Sequence, residues 1–155
     1  MQKLVLYCSL ALTFALILLV ACSKDKFETK PTIEIKSFNP NPVPESGTMT
    51  VELEYTDKEG DIGGDSALFV RRTRINQKKV GKTLRDSFWL PLPGDVPKKT
   101  KGTIRLTLDF ETYAKSADDP GNPPAPDSLI FRFAMRDKAQ HVSDTVESGL
   151  VIIER

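Results

Sequence analysis

Beyond Cys22 the sequence has no cysteine, and its one other, Cys8, lies in the N-terminal apolar run. The bulk of the chain therefore holds no disulfide and no thiolate metal site, and thiol catalysis is excluded there. Histidine is nearly as scarce. His141 stands alone, so no site can draw on two histidine ligands. An excess of either charge is also missing. Setting aside Lys3, the one charged residue among 1–21, leaves 21 bases against 21 acids. A nucleic-acid-binding module normally shows a strong positive surplus, so that class is disfavoured. No phosphate-cradling glycine loop or dinucleotide fingerprint occurs. Convincing helical periodicity is absent from Pro31 on, where eleven prolines and nine glycines punctuate the chain. What remains, 39% hydrophobic and 28% charged, is the composition of a folded globular chain rather than a disordered one.

One long apolar run is present, Leu10 to Val20, behind Lys3. It is too short and too close to the start for a comfortable permanent span, and it reads as a secretory signal. Leu19-Val20-Ala21-Cys22 resembles the lipobox of bacterial lipoproteins, apolar then small residues directly before a cysteine. The resemblance implies a signal peptide over 1–21, cut before Cys22, with the Cys22 thiol diacylated and the new amine acylated. A thiol suits this chemistry because it is nucleophilic enough to become a thioether. Several acyl chains on one residue give stable anchoring, whereas one chain, at about 0.8 kcal/mol per buried CH₂, is marginal. A plain secretory signal followed by a chance cysteine is the alternative. Residues 22–31 are polar and aperiodic, a lipidated tether. Their opening Cys-Ser-Lys-Asp resembles lipoproteins of Bacteroidota, in which acidic residues after the cysteine can direct export to the cell surface. Only Asp25 and Glu28 are acidic here, among lysines. An outer-membrane location follows from the resemblance, with the periplasmic and surface faces both open.

From residue 32 to 155 the recurring pattern is alternation with period two, which predicts strands. Ile33 and Ile35 share one face of the first. Met49, Val51, Leu53 and Tyr55 alternate with polar residues in the second. Ala67 to Ile75 is apolar and then basic. Phe88 to Leu92 is a short fourth, confined to an edge by Pro91 and Pro93 because proline cannot donate to a ladder. Ile104, Leu106, Leu108 and Phe110 line a fifth; Leu129, Phe131, Phe133 and Met135 line a sixth; residues 149–153 make the seventh. Seven short strands of this kind predict an all-β, immunoglobulin/fibronectin-like β-sandwich, with a small barrel as the competitor.

Charges cancel overall yet are segregated. Seven acids and Lys58 occupy 45–65, whereas ten bases and two acids occupy 71–101. The plain reading is cross-strand pairing of Glu52 and Glu54 with arginines among 71–74. The alternative is an anion-binding patch, in which Arg72 and Trp89 are the candidate residues for a glycan or anionic ligand.

The densest motif is Asp57-Lys-Glu-Gly-Asp-Ile-Gly-Gly-Asp65. Its carboxylates at near-alternate positions could wrap a hard cation in oxygen ligands. It is not an EF-hand: with Asp57 as position 1, position 6 is Ile62 and position 12 is Leu68. In a seven-strand sandwich the loops after the second and sixth strands share one end. That would bring Asp137 and Asp144 of the later loop to the turn. A calcium site of Asp57, Glu59, Asp61 and Asp65 with Asp137 is therefore one expectation. The other is a turn balanced by Lys98, Lys99 and Lys101, on a loop expected at the same end.

The stretch 55–63 is similar to the "D-x-D-G-D-[IL]-G" segment of small Ig-like lipoproteins of the Bacteroidota type. Residues 131–145 are similar to their closing "D-[RK]-A-G-N-x-S" hairpin. Glu59 stands where the pattern prefers Asp, and Gln140-His141 where it prefers Gly-Asn, which removes a common turn. The resemblance implies fold and address rather than activity. His141, Ser143 and Asp144 are adjacent in sequence, but a nucleophilic triad needs side chains converging from a rigid scaffold. A hydrolase built on the 57–65 carboxylates would need a cleft holding them at defined separation, which a glycine-rich turn supplies poorly. The expectation is therefore a non-enzymatic envelope module, anchored through Cys22 and contacting another envelope protein.

Overall fold

The computed structural model describes residues 29–39, 41–76, 85–92, 99–109 and 126–154. The signal peptide, Cys22, Lys98 and Phe110 lie outside them. Among the described residues there is no helix. The strands are β1 (Thr32–Asn39), β2 (Thr48–Thr56), β3 (Gly64–Arg74), β4 (Arg85–Leu92), β5 (Lys101–Asp109), β6 (Asp127–Met135), β7 (Val146–Glu147) and β8 (Val151–Ile153). All seven expected strands are present, and the two-residue β7 is additional.

The strands form two antiparallel sheets. One is ordered β1-β2-β5; the other runs β4-β3-β6-β7, with β8 also on β6. The fold is thus an open sandwich and not a closed barrel. β4 pairs β3 rather than joining β1, β2 and β5, where a constant-type immunoglobulin arrangement carries its fourth strand. As Pro91 requires, β4 lies at a sheet edge.

Alternation decides which side chains meet between the sheets. Met49, Val51, Leu53 and Tyr55 from β2 face Leu68 and Val70 from β3 and the four inward residues of β6. Phe131, Phe133, Leu129 and Met135 are fully buried, which makes β6 the spine of the core. Ile104 and Leu106 of edge strand β5 are only partly covered.

β6 is completed on its far side by serines as well as by backbone. The Phe131 amide donates to Ser148 Oγ at 2.9 Å, and the Met135 amide donates to Ser143 Oγ at 2.8 Å. The Ser148 and Ser143 amides return bonds to the carbonyls of Phe131 and Met135. These hydroxyls fill the ladder positions on either side of the two-residue β7. Ser148→Ala leaves the buried Phe131 N–H without its acceptor and should cost about 1–3 kcal/mol. Chemical denaturation of the variant beside Ser148→Thr, which keeps a hydroxyl, checks this.

The last strand also reaches the opposite sheet. Val43, in the β1–β2 connection, donates to the Ile152 carbonyl at 2.7 Å and accepts from the Glu154 amide at 2.8 Å.

The expected pairing of Glu52 and Glu54 with arginines 71–74 does not occur, because β2 and β3 belong to different sheets. Their partners come from β1 and β5 instead. Arg105 binds Glu52 at 2.6 Å, while Lys101 and Lys36 bind Glu54 at 3.1 and 3.4 Å. The hydrogen bond from Arg105 holds the Glu52 carboxyl below its ordinary range, and that from Lys101 does the same for Glu54. The Lys36 ammonium is in turn held up by Glu34. The solvent side of this sheet is thus laced with matched pairs.

Arg72 and Arg74 point into the sandwich. Arg72 is ion-paired with Asp86 and lies over the Phe88 ring, 5.2 Å from its centroid. Arg74 Nε sits 3.1 Å from Asp127 Oδ1, with both side chains sealed from solvent.

Candidate functional site

The chain leaves β2 at Thr56 and turns sharply. Asp57 Oδ2 accepts the Asp61 amide at 2.8 Å, and the Gly60 amide donates to the Asp57 carbonyl at 3.3 Å. Gly60 has φ 65°, a left-handed conformation that glycine adopts without steric cost. The Asp57 amide donates to the Thr100 carbonyl at 2.8 Å, so the approach to β5 borders the turn.

The hairpin after β6 closes on the same corner. Ile62 bridges Asp137, and the Lys138 amide donates to the Asp61 carbonyl at 3.3 Å. Within the hairpin, Asp137 Oδ1 accepts the His141 amide at 2.8 Å, and Oδ2 lies 2.9 Å from His141 Nδ1. Gln140 takes the left-handed turn position at φ 72°. The turn that Gly-Asn would ordinarily supply is therefore made with glutamine in its place.

The two loops bring one carboxylate oxygen from each of Asp57, Glu59, Asp61 and Asp137 within 4.8 Å of one another. Asp57 and Asp137 are both 2% exposed, while Glu59 is exposed to solvent. Burial pushes the Asp57 carboxyl above its ordinary value, and the charges of Asp61 and Glu59 push in the same direction. The same burial, with Asp57 beside it, raises the Tyr55 phenol.

Asp65 does not join the group. It follows Gly63 and Gly64 onto β3 and is exposed there. Asp144 is also elsewhere, binding Lys30 at 2.6 Å. Of the lysines expected to balance the turn, Lys101 is committed to Glu54, Lys99 is exposed, and Lys98 lies outside the described residues.

Trp89 and Arg72 lie on opposite faces of their sheet. Trp89 pairs across strands with Phe69 on the outer face, ring centroids 5.3 Å apart. The Arg136 guanidinium lies over the indole, 4.3 Å from its centroid. Outward Arg71 and Arg132 sit opposite each other on neighbouring strands, and Arg132 binds Glu147 at 2.5 Å. Ser143 is buried, its hydroxyl used between the Met135 amide and the Asp144 carbonyl, so it does not converge with His141.

Sequence reasoning missed Phe69 and Arg136 as neighbours of Trp89 and His141 as the partner of Asp137. The i,i+4 spacing of Asp137 and His141 was the available signal for the second.

No protein-family model matches the sequence, and no curated protein does. Among solved structures, the chain is similar to Spo0M, a sporulation control protein from Bacillus subtilis, at 8% identity and a TM-score of 0.42. That match covers 81% of this chain and 50% of the other. A β-glucosidase mutant from Listeria innocua, in complex with laminaribiose, aligns at 13% identity and a TM-score of 0.40, covering 81% of this chain and 16% of the enzyme. A β-glucosidase from Kluyveromyces marxianus in complex with glucose aligns at 9% identity and a TM-score of 0.40, covering 82% and 14%. The chain thus spans half of the sporulation protein and a small part of the glucosidases. These likenesses carry no functional information. Among the described residues, no helix is long and apolar enough to cross a membrane.

Proposed function

We propose that this chain is a non-catalytic interaction module of the bacterial envelope, a lipoprotein of the Bacteroidota type. It is held at the outer membrane through acylated Cys22 and docks on a second envelope protein. The observation that carries the docking half is the asymmetry of the two outer faces. The β1-β2-β5 face has its acids and bases matched to one another. The other face presents Phe69, Trp89 and Arg136 in one stack, with Arg71 and Arg132 beside it and Glu147 on Arg132. Tryptophan and arginine are the residue types that most often dominate protein–protein interfaces. The surplus of arginines suits a partner surface with acidic residues around an apolar centre.

A glycan or anion is the poorer fit. Arg136 already covers the indole, and Arg72, the cation expected to assist Trp89, is inside the sandwich. The anchor half rests on the Leu19-Val20-Ala21-Cys22 resemblance.

Two measurements test the reading. Cys22→Ser should abolish fatty-acid labelling and release the chain from the membrane fraction. Crosslinking in intact cells, followed by purification in mild detergent, should recover a second envelope protein with the wild type. Trp89→Ala should lose that protein without moving the melting temperature by more than a few degrees. A chain that stays on the membrane as Cys22→Ser overturns the anchor. One that emerges alone under every crosslinking condition overturns the docking.

A further inference from the structure

We infer that the corner built by the β2–β3 turn and the β6–β7 hairpin is a calcium site, with Asp57, Glu59, Asp61 and Asp137 as its carboxylate ligands. The inference is independent of the anchor and of any protein partner. Calcium binds oxygens at about 2.3–2.6 Å, so two ligands on opposite sides of the ion lie roughly 4.8 Å apart. Four oxygens all within 4.8 Å of one another therefore satisfy the distance limit that one coordination sphere sets.

A second observation, separate from the clustering, points to a cation. Asp57 Oδ1 belongs to a residue 2% exposed, and among the described residues no group donates a hydrogen bond to it. Asp61 Oδ1 is likewise cut off from solvent without a donor. A buried carboxylate oxygen left this way carries a heavy desolvation cost unless a positive charge or a donor meets it. The other oxygen of Asp57 is satisfied by the Asp61 amide, and the Asp57 carboxylate is one of the four that cluster. The nearby Lys101 and Lys30 are engaged by Glu54 and Asp144.

The donor set selects the ion. All four ligands are hard carboxylate oxygens, which suit calcium or magnesium over zinc or copper. Magnesium demands octahedral geometry at about 2.0–2.1 Å and gives up its waters reluctantly. Calcium accepts six to eight ligands in irregular geometry, and solvent-exposed Glu59 leaves an open side for waters to complete the shell. His141 is no ligand in this scheme. Its amide and Nδ1 both engage Asp137 and orient that carboxylate. The ion would pin the two loops together where backbone now joins them by the Ile62–Asp137 bridge and the Lys138 to Asp61 bond.

The full chain, purified in detergent and stripped with chelator, is titrated with calcium chloride by calorimetry and by thermal melting. A saturable site should appear, and calcium at 100 times its dissociation constant should raise the melting temperature by roughly 10 °C. Asp61→Asn should weaken calcium at least tenfold, whereas exposed Asp65→Asn, outside the four-oxygen group, should leave it unchanged. Asp57→Asn should abolish the calcium response and melt no lower than wild type in chelator, since it removes a buried charge. Identical wild-type melting curves in chelator and in millimolar calcium would overturn the site, as would an equal response to magnesium at equal concentration. A full calcium response in Asp61→Asn would overturn the ligand set.

Discussion

Asp127→Ala should lower the unfolding free energy by about 3–5 kcal/mol, the cost of breaking a buried ion pair by removing one partner. Arg74 Nε stands 3.1 Å from Asp127 Oδ1, with side chains 1% and 0% exposed. Alanine leaves the guanidinium in the interior without its carboxylate, and arginine cannot shed its proton to escape. Small domains are stable by about 5–15 kcal/mol, so the loss is a large fraction of the total. It should appear as a lower denaturant midpoint at unchanged slope. The pair itself need not be stabilising relative to an apolar replacement. Arg74→Met with Asp127→Leu should recover most of the loss, because desolvating two charges offsets much of their attraction. A single-variant loss below 1 kcal/mol would show that solvent reaches the pair. The matched pairs on the β1-β2-β5 face make the contrast: they are exposed, and Arg105→Ala there should hardly move the midpoint.

Phe131→Ala should cost a similar amount, about 3–5 kcal/mol, through lost transfer energy and the cavity left behind. The Phe131 and Phe133 rings on β6 have centroids 6.3 Å apart and planes 10° from parallel. Phe38, from the other sheet, lies 6.3 and 6.0 Å from them. This trio is where the sheets touch through aromatic rings, so a cavity at its centre has rigid walls on both sides. Phe131→Leu should keep more than half of the lost stability. A double-mutant cycle of Phe38→Leu with Phe131→Leu should give a coupling of about 0.5–1.5 kcal/mol. Strict additivity would mean that the rings only fill space.

How far the sequence could be read depends on the element. Alternation in β2, β5 and β6 marks the core directly, because burial of one sheet face forces period two. β7 has no such mark. It is two residues long, and the ladder around it is completed by Ser143 and Ser148, whose polarity hides that they are interior. The acidic corner was legible because the Asp57–Asp61 turn is local and the topology returns Asp137 to it. Asp65 was misplaced because two glycines with φ 144° and 110° redirect the backbone before it. Charge pairing was the least legible feature. Proximity along the chain suggested that 45–65 would meet 71–74, but the crossing between sheets separates them. The Trp89 surroundings were hidden for a related reason: Phe69 and Arg136 come from β3 and from just past the end of β6, and only sheet order brings them together.

The Val43 bridge has a consequence for the order in which this domain can assemble. Backbone bonds from Val43 to Ile152 and Glu154 join the start of the sandwich to its last strand across almost the whole length of the domain. Contacts of such separation pay nearly the full loop-closure entropy before they return anything, and topologies dominated by them fold slowly. A chain synthesised N-terminus first therefore completes β1 to β6 with the latch still missing. Until residues 151–154 arrive, the Asp127–Leu129 part of the β6 edge and the Val43 amide stay open to any other strand. For this fold the hazardous interval closes when residues 151–154 pair, and a chaperone that shields the open part of the β6 edge until then would serve it better than one that speeds the early strands.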